Sequence, residues 1–256
     1  MPHDCSHKSI ELIQYSLQMY RPMTTSDFIG LGISYLYAAT LLLIGEALQL
    51  FFGIKPDITR KFVHVGAGMW IFGILALFNT WQIGIIPFAS FIFINFLLYR
   101  YKVIRALDSS NSSPGTVYFA ISVTLLFTVF WRPLSFDQVP IAVASVMIMT
   151  WGDALAALIG KYYGKNKYQF GQSIKSLEGS TVMFVVSAIV VFIVLKVLPG
   201  SLLSQNSLQW EMWKIVFASL VSAGVATVVE AISPHGTDNF SVPLVAAGVI
   251  GIIGNI

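Results

Sequence analysis

Eight stretches of this chain stay apolar for about as long as a helix needs to cross a bilayer. They run roughly over 27–52, 62–78, 82–99, 116–131, 139–160, 181–198, 212–232 and 239–255. A hydrocarbon core of ~30 Å takes about 20 helical residues, with a working range of about 17–25. The runs are too long for barrel strands and do not alternate strictly, so helices are what keeps the backbone paired in lipid. The expected fold is all-α: a polytopic transmembrane helix bundle of about eight spans, within a range of roughly seven to nine. The range reflects Gly66, Gly68 and Gly73 in the second run and the shortness of the fourth. Composition bears on whether the runs are core or lipid-facing. Only 11% of the residues are charged and 56% are hydrophobic. Counting Gly in place of Tyr brings the apolar share to about 60%, against roughly 45–50% apolar and 25% charged in a soluble domain. With a mean hydropathy of +0.76, this is too much apolar surface for one water-soluble core, and the solvent for most of the chain is lipid.

Several classes fall away. A net charge of +3 without a basic, aromatic-interleaved run gives no case for nucleic acid. One cysteine, Cys5, excludes an internal disulfide, a zinc cluster and a CxxC pair. Residues 1–26 read as a polar tail with neither a cleavable signal nor a transit-peptide pattern. Residues 27–256 read as a single transmembrane catalytic domain, without internal repeats.

Eight spans sort the loops onto two sides. One side carries Lys55, Arg60, Lys61, Arg100, Lys102, Arg105, Lys161, Lys165, Lys167 and Lys175; the other carries Lys8, Arg21, Arg132, Lys196 and Lys214. Ten of the 15 cations therefore share one face, which the positive-inside rule makes cytoplasmic. Both termini fall on the opposite face. The polar motifs that look chemically organised also fall on the basic side.

Four motifs stand there. Arg60-Lys61-Phe62-Val63-His64 enters the second span, where a basic pair and an imidazole on one helix face suit an anion; snorkelling to headgroups is the simpler reading. Asp153 lies inside an apolar helix some two turns before the basic loop, and an acid at that depth is functional by default, with a structural ion pair as the alternative. Asp153, Ala156, Gly160 and Gly164 share one face, narrow enough for another backbone or a nucleotide to approach. The Gly160–Lys165 segment fails as a Walker A loop: its glycines are one residue too close, and Asn166 stands where Ser or Thr is needed. Lys175-Ser176-Leu177-Glu178-Gly179 opens the sixth span; it is either a helix cap or, with Lys161 nearby, a cradle for phosphates at a helix N-terminus. Glu230 to Pro243 turns between the last two spans and brings Glu230, Asp238 and Asn239 to the same surface. Glu46 and Asn95, alone in their spans, are expected to make interhelical hydrogen bonds. Asn111-Ser112-Ser113 fits a glycosylation sequon, but the topology puts it on the cytoplasmic side.

Carboxylates that can share Mg²⁺ with phosphates, beside cations and helix N-termini, are the equipment of phosphoryl or nucleotidyl transfer. A secondary transporter would instead place its acids in broken helices near the midplane and show repeated halves.

The same motifs resemble the membrane-bound polyprenol kinases: dolichol kinase, the CTP-using diacylglycerol kinase and, above all, phytol and farnesol kinases. That family's nucleotide motif has Asp, Ala, Gly and Gly at spacings of three, four and four, matched by Asp153, Ala156, Gly160 and Gly164. Its following Lys-rich element is matched by Lys175-Ser176-Leu177-Glu178-Gly179, with Ile174 in place of the first lysine and a gap one residue longer. The Arg60-Lys61…His64 and Glu230…Ser233-Pro234…Asp238-Asn239…Val242-Pro243 runs resemble its first and last motifs. The likeness spans about residues 58–250.

The resemblance implies a CTP-dependent kinase of an isoprenoid alcohol, closest to phytol kinase, which makes phytyl monophosphate for tocopherol synthesis and phytol salvage. It implies Mg²⁺ as cofactor, CTP, the alcohol and membrane lipid as partners, and no protein partner. Asp153, Lys175 and Glu178 would be catalytic, and Asp153, Glu178 and Glu230 metal ligands. Arg60, Lys61, His64, Gly160, Lys161, Gly164, Ser176, Gly179, Asp238 and Asn239 would hold nucleotide or phosphate. A CDP-diacylglycerol synthase-like nucleotidyltransferase would use similar equipment and release pyrophosphate instead of CDP. Farnesol, dolichol and diacylglycerol are the other acceptors in view.

Overall fold

A computed structural model describes residues 22–101, 114–131, 137–170, 173–234 and 236–255. Cys5, the tail up to residue 21, Lys102, Arg105, the Asn111 sequon and Arg132 lie outside the described residues. Eight helices stand close to the eight apolar runs: α1 (Thr25–Phe52), α2 (Pro56–Leu77), α3 (Trp81–Tyr101), α4 (Gly115–Phe130), α5 (Val139–Tyr163), α6 (Leu177–Val197), α7 (Met212–Ile232) and α8 (Asp238–Gly254). All but α4 and α8 are long and apolar enough to cross a bilayer. Those two have 16 and 17 residues, about 24–26 Å at the α-helical rise, and they pack against each other inside the bundle.

The helix ends follow local chemistry. Thr24 caps α1 in a box with Asp27. Gly53, at φ 63°, closes α1 in the left-handed conformation and turns the chain straight into α2. Pro56 opens α2 where its missing N–H costs nothing. Ser176 caps α6, its Oγ accepting from the Gly179 N–H at 3.1 Å.

α5 is the axis of the bundle. Between Val139 and Asp153 every residue except Trp151 is buried. It lies between α2 and α4 on one side and α6 and α8 on the other, with α1 and α3 outside the first group and α7 outside the second. The outer surface is as apolar as the core: Leu36, Leu43, Phe93, Val228 and Ile252 are each at least 60% exposed. Soluble monomers rarely show contiguous apolar area on this scale. The chain is an integral membrane protein.

One element was not expected. The loop between α5 and α6 folds into an antiparallel hairpin, β1 (Lys167–Phe170) with β2 (Ser173–Ser176), pairing Lys167 with Ser176 and Tyr168 with Lys175. Its signal is present in the sequence: two short alternating runs flank Gly171-Gln172, a two-residue, glycine-first spacing that favours hairpins. Four-residue strands are too short to register against helical runs of twenty.

Candidate active site at one mouth of the bundle

Asp153 owes its position to a break in helical periodicity. Ile148–Asp153 winds as a π-helical turn inside α5, a distortion that recurs at functional sites. Within it the Thr150 hydroxyl is buried without a hydrogen-bond partner, and Gly68 of α2 lies so close that a Cβ there would collide with it. The contact lets α2 lie close against α5, and Lys61 of α2 forms an ion pair with Asp153.

A second pair approaches from the other side. The hairpin carries Lys175 to Glu230, at the end of α7, with which it forms an ion pair. Asp238, the first residue of α8, lies 3.8 Å from the same ammonium. Ser173 ties the hairpin to the α7–α8 turn by donating to the Ser233 carbonyl at 3.3 Å. Burial pulls the Lys175 pKa down, but Glu230, Asp238 and Asp153 outweigh it and hold the ammonium above its ordinary value, so it stays charged.

Asp153, Glu230 and Asp238 thus meet, each offering an oxygen within 4.8 Å of the others. Three carboxylates face two lysines, leaving this buried group one negative charge in excess. Burying ions costs several kcal/mol each unless partners compensate, so the group is suited to a further cation. The donor set is all hard oxygen, which fits Mg²⁺, an ion that needs only one or two carboxylates and takes its remaining ligands from water and phosphate.

The other expected residues take different places. Glu178 does not join the carboxylates: its oxygens accept from the backbone and side-chain nitrogens of Asn166, both at 3.1 Å, and tie the chain after α5 to the first turn of α6. Gly160, Gly164, Gly179 and Ser176 form the contact between α5 and α6. A Cβ on Gly179 would lie 3.0 Å from the Ala156 carbonyl, and one on Gly160 3.0 Å from the Ser176 Oγ; the small-residue face here receives another backbone. Lys161 pairs with Asp57 at the exposed rim. Asn239 holds Asp238, its backbone N–H donating to Oδ1 at 2.9 Å, while its carbonyl accepts from Ser122 at 2.9 Å. Asn95 makes the interhelical bond expected of it, donating to the Thr116 carbonyl at 3.1 Å.

An apolar cavity between α1, α2, α3 and α4 opens beside this group. Its polar end is formed by Arg60, Lys61, His64 and Asn239, and its walls by residues such as Leu41 and Phe119. Lys61 therefore belongs to both cavity and carboxylate site. His64 Nε2 lies 3.1 Å from the Met149 carbonyl. A carbonyl only accepts, so the proton sits on Nε2 and Nδ1 is left as an acceptor. Apart from Asn95, which the sequence marks for its interhelical bond, sequence reasoning missed the α1 and α3 walls: along mostly apolar helices nothing marks which residues face a cavity.

Comparison with known proteins gives a consistent set of relatives. Over 232 residues the chain is 30% identical to a phytol kinase of Synechocystis sp., covering 90% of this chain and 94% of that protein. Over 237 residues it is 30% identical to a probable chloroplastic phytol kinase 1 of Oryza sativa, covering 81% of this chain and 70% of the rice protein. A probable chloroplastic phytol kinase of Triticum aestivum is 27% identical over 208 residues, which cover 75% of this chain and 65% of the wheat protein. No family model matches the chain. No solved structure matches it.

Proposed function

The chain belongs to the phytol kinase family, and from that premise we propose that it transfers the γ-phosphate of CTP to the hydroxyl of a phytol-type isoprenoid alcohol at the cytoplasmic face. The observation that carries the reading is the double membership of Lys61, which lines an apolar cavity and pairs with a buried carboxylate beside two more. A kinase of a lipid alcohol needs that junction: an apolar place for the chain, opening directly onto a charged place for phosphate.

In this reading the isoprenoid chain lies in the cavity among α1–α4 with its hydroxyl at the Lys61 and His64 end. Asp153 is our choice of base, because it is the carboxylate joined to a cavity residue. The hydroxyl oxygen forms its bond to the γ-phosphorus as the bond from that phosphorus to the β-bridging oxygen breaks, and the hydroxyl proton passes to an Asp153 carboxylate oxygen. The products are CDP and the alkyl monophosphate. Lys61 and Lys175 exchange carboxylate for phosphate oxygens and offset the charge on the transferring group, the main catalytic task in such reactions. Glu230 and Asp238 would hold Mg²⁺, which would supply positive charge to offset that of the phosphates. The choice of CTP rests on the resemblance of the Asp153–Gly164 motif. The positive-inside count supports the cytoplasmic face.

The test uses purified protein in detergent with Mg²⁺, each of four nucleoside triphosphates, and phytol, farnesol, geranylgeraniol, dolichol or diacylglycerol. CTP-dependent formation of an isoprenoid monophosphate with release of CDP is expected. Release of pyrophosphate would make the protein a nucleotidyltransferase, and no phosphorylated alcohol with any donor would overturn the kinase reading.

A further inference from the structure

A stacked aromatic pair lines the cavity at the end away from its charged groups. Along each of its four helices the lining residue farthest from the polar end is Tyr37 in α1, Trp70 in α2, Phe88 in α3 and Val123 in α4. Tyr37 and Trp70 stack face to face, with ring centroids 4.2 Å apart and planes 16° from parallel. The pair is held from three directions. The Tyr37 hydroxyl donates to the Gly66 carbonyl at 2.8 Å. The Trp70 indole N–H donates to Ser34 at 3.2 Å, and Ser34 in turn donates to the Gly30 carbonyl at 2.7 Å. The indole also lies over Gly73, where a Cβ would stand 2.6 Å from the ring. Two large flat rings, each hydrogen-bonded to the helix opposite its own, are a stop that a passing alkyl chain does not push aside. Core packing accounts for a stacked pair; what bears on the acceptor is that this pair lines the cavity at the end away from Arg60, Lys61 and His64.

The depth can be counted from helix rise. Lys61 and Trp70 are nine residues apart on α2, and Tyr99 and Phe88, both lining residues, are eleven apart on α3. At the α-helical rise these separations are about 13.5 and 16.5 Å. An extended carbon chain advances about 1.25 Å per bond at ordinary bond lengths and angles, so an isoprene unit of four backbone carbons spans about 5 Å. The cavity therefore takes about three isoprene units before the chain meets the Tyr37–Trp70 stack.

We infer that the Tyr37–Trp70 stack is a chain-length stop: it limits how much of the acceptor is read by the protein to about the first three isoprene units and turns the rest of a longer chain out into lipid. The inference rests on the proposed alcohol kinase activity. It accounts for how a membrane enzyme could use a C20 alcohol with a cavity shorter than that alcohol, and it makes Trp70 a specificity-determining residue on a helix whose recognisable motif lies entirely at the other end.

The experiment is a series of all-trans prenols (geraniol, farnesol, geranylgeraniol) phosphorylated by the full chain in detergent, read as kcat/KM for each. For the unaltered protein, kcat/KM should rise at least tenfold from C10 to C15, where more of the cavity is filled, and change less than threefold from C15 to C20. Trp70→Ala removes the stop, and the rise should continue to C20. Ala67→Phe, one turn above Trp70 in the cavity wall, fills about one unit, so the plateau should begin at C10. Geraniol is the internal control, because it does not reach the stack: its turnover should stay within threefold in both variants. If the two variants keep the chain-length profile of the unaltered protein while still turning over geraniol, the stop is overturned. If Trp70→Ala is inactive on every alcohol, Ala67→Phe decides alone: an unchanged profile or loss on geraniol as well counts against the inference. Absence of phosphorylation of all three prenols by the unaltered protein would instead overturn the kinase reading on which it rests.

Discussion

The two ends of the bundle each bury an aspartate, and they treat it in opposite ways. At the closed end, Asp27 of α1 is fully buried and saturated by neutral donors: the Thr24 N–H and hydroxyl, both at 2.8 Å, the Asn79 N–H at 3.0 Å, and the Thr80 N–H and hydroxyl at 3.1 and 3.0 Å. Its charge is dispersed over the start of α1 and the α2–α3 turn, and nothing about it asks for another partner. At the mouth, Asp153 is nearly as buried, but its hydrogen-bonding partner is one lysine, and two further carboxylates stand within reach of the same space. A buried carboxylate fully satisfied by its own scaffold is structure. One held by an exchangeable cation in a group with excess negative charge is poised to bind.

The largest effect that can break this comparison is on turnover. Asp153→Asn keeps size and shape and removes the charge. It should cut kcat/KM for the alcohol by about a thousandfold or more, which is ~4 kcal/mol of transition-state stabilisation, while the purified protein still elutes as the unaltered one does. Asp27→Asn should leave turnover per folded molecule within about threefold. If Asp153→Asn retains near-normal activity, the scheme at the mouth is wrong at its centre.

The next effect is on stability, and it runs the other way. Asp27→Ala strands the Asn79 and Thr80 N–H groups and dissolves the capping box. Leaving the buried Thr80 donors unsatisfied costs about 1–3 kcal/mol, while the Thr24 hydroxyl keeps its bond to the N–H of residue 27. The melting temperature in detergent should fall by several degrees, with activity below the transition unchanged. An Asp27→Ala protein that melts normally but no longer phosphorylates would show that the closed end takes part in the chemistry, and the contrast between the two ends would fail.

Much of this architecture was legible before the structure, and the parts that were not share a cause. Apolar run length reports membrane thickness, so all eight helices were found. It does not report helix ends, so α2 begins at Pro56 and α6 at Leu177, several residues before their apolar runs, where Pro56 and the Ser176 cap set the start. The residues at the mouth were mostly identifiable, because a charge in a lipid-spanning helix demands a reason. Their grouping was not. Sequence spacing places Glu178 beside Lys175, yet the hairpin sends Lys175 inward to Glu230 and leaves Glu178 to Asn166. Asp238, expected among the phosphate-binding residues, stands instead with Asp153 and Glu230. The π-helical turn at Ile148–Asp153 changes the face Asp153 presents, and no residue in it announces an extra unit in the turn.

The smallest effect is the sharpest test of how local the chemistry is. Helices α2 and α5 are joined by two lysine–aspartate pairs of opposite polarity: Lys61 reaches from α2 to Asp153, and Lys161 reaches back from α5 to Asp57. They differ in exposure, with side chains 16% and 6% exposed in the first pair and 54% and 39% in the second. An exposed pair is screened by water and contributes ~0–1 kcal/mol, so Lys161→Met should shift the melting temperature by no more than a degree or two. Its effect on turnover separates two roles for the same residue. If Lys161 only joins the helices at the rim, kcat/KM for both nucleotide and alcohol stays within about threefold. If it also contacts the phosphates of the donor, as its motif suggests, KM for the nucleotide rises tenfold or more while KM for the alcohol stays put. Lys61→Met lowers turnover on either account, because its ammonium faces the buried carboxylate at the mouth. A nucleotide-specific defect in Lys161→Met would therefore extend the charged site outward from the buried group to the rim, and a silent substitution would confine it to Lys61, Asp153, Lys175, Glu230 and Asp238.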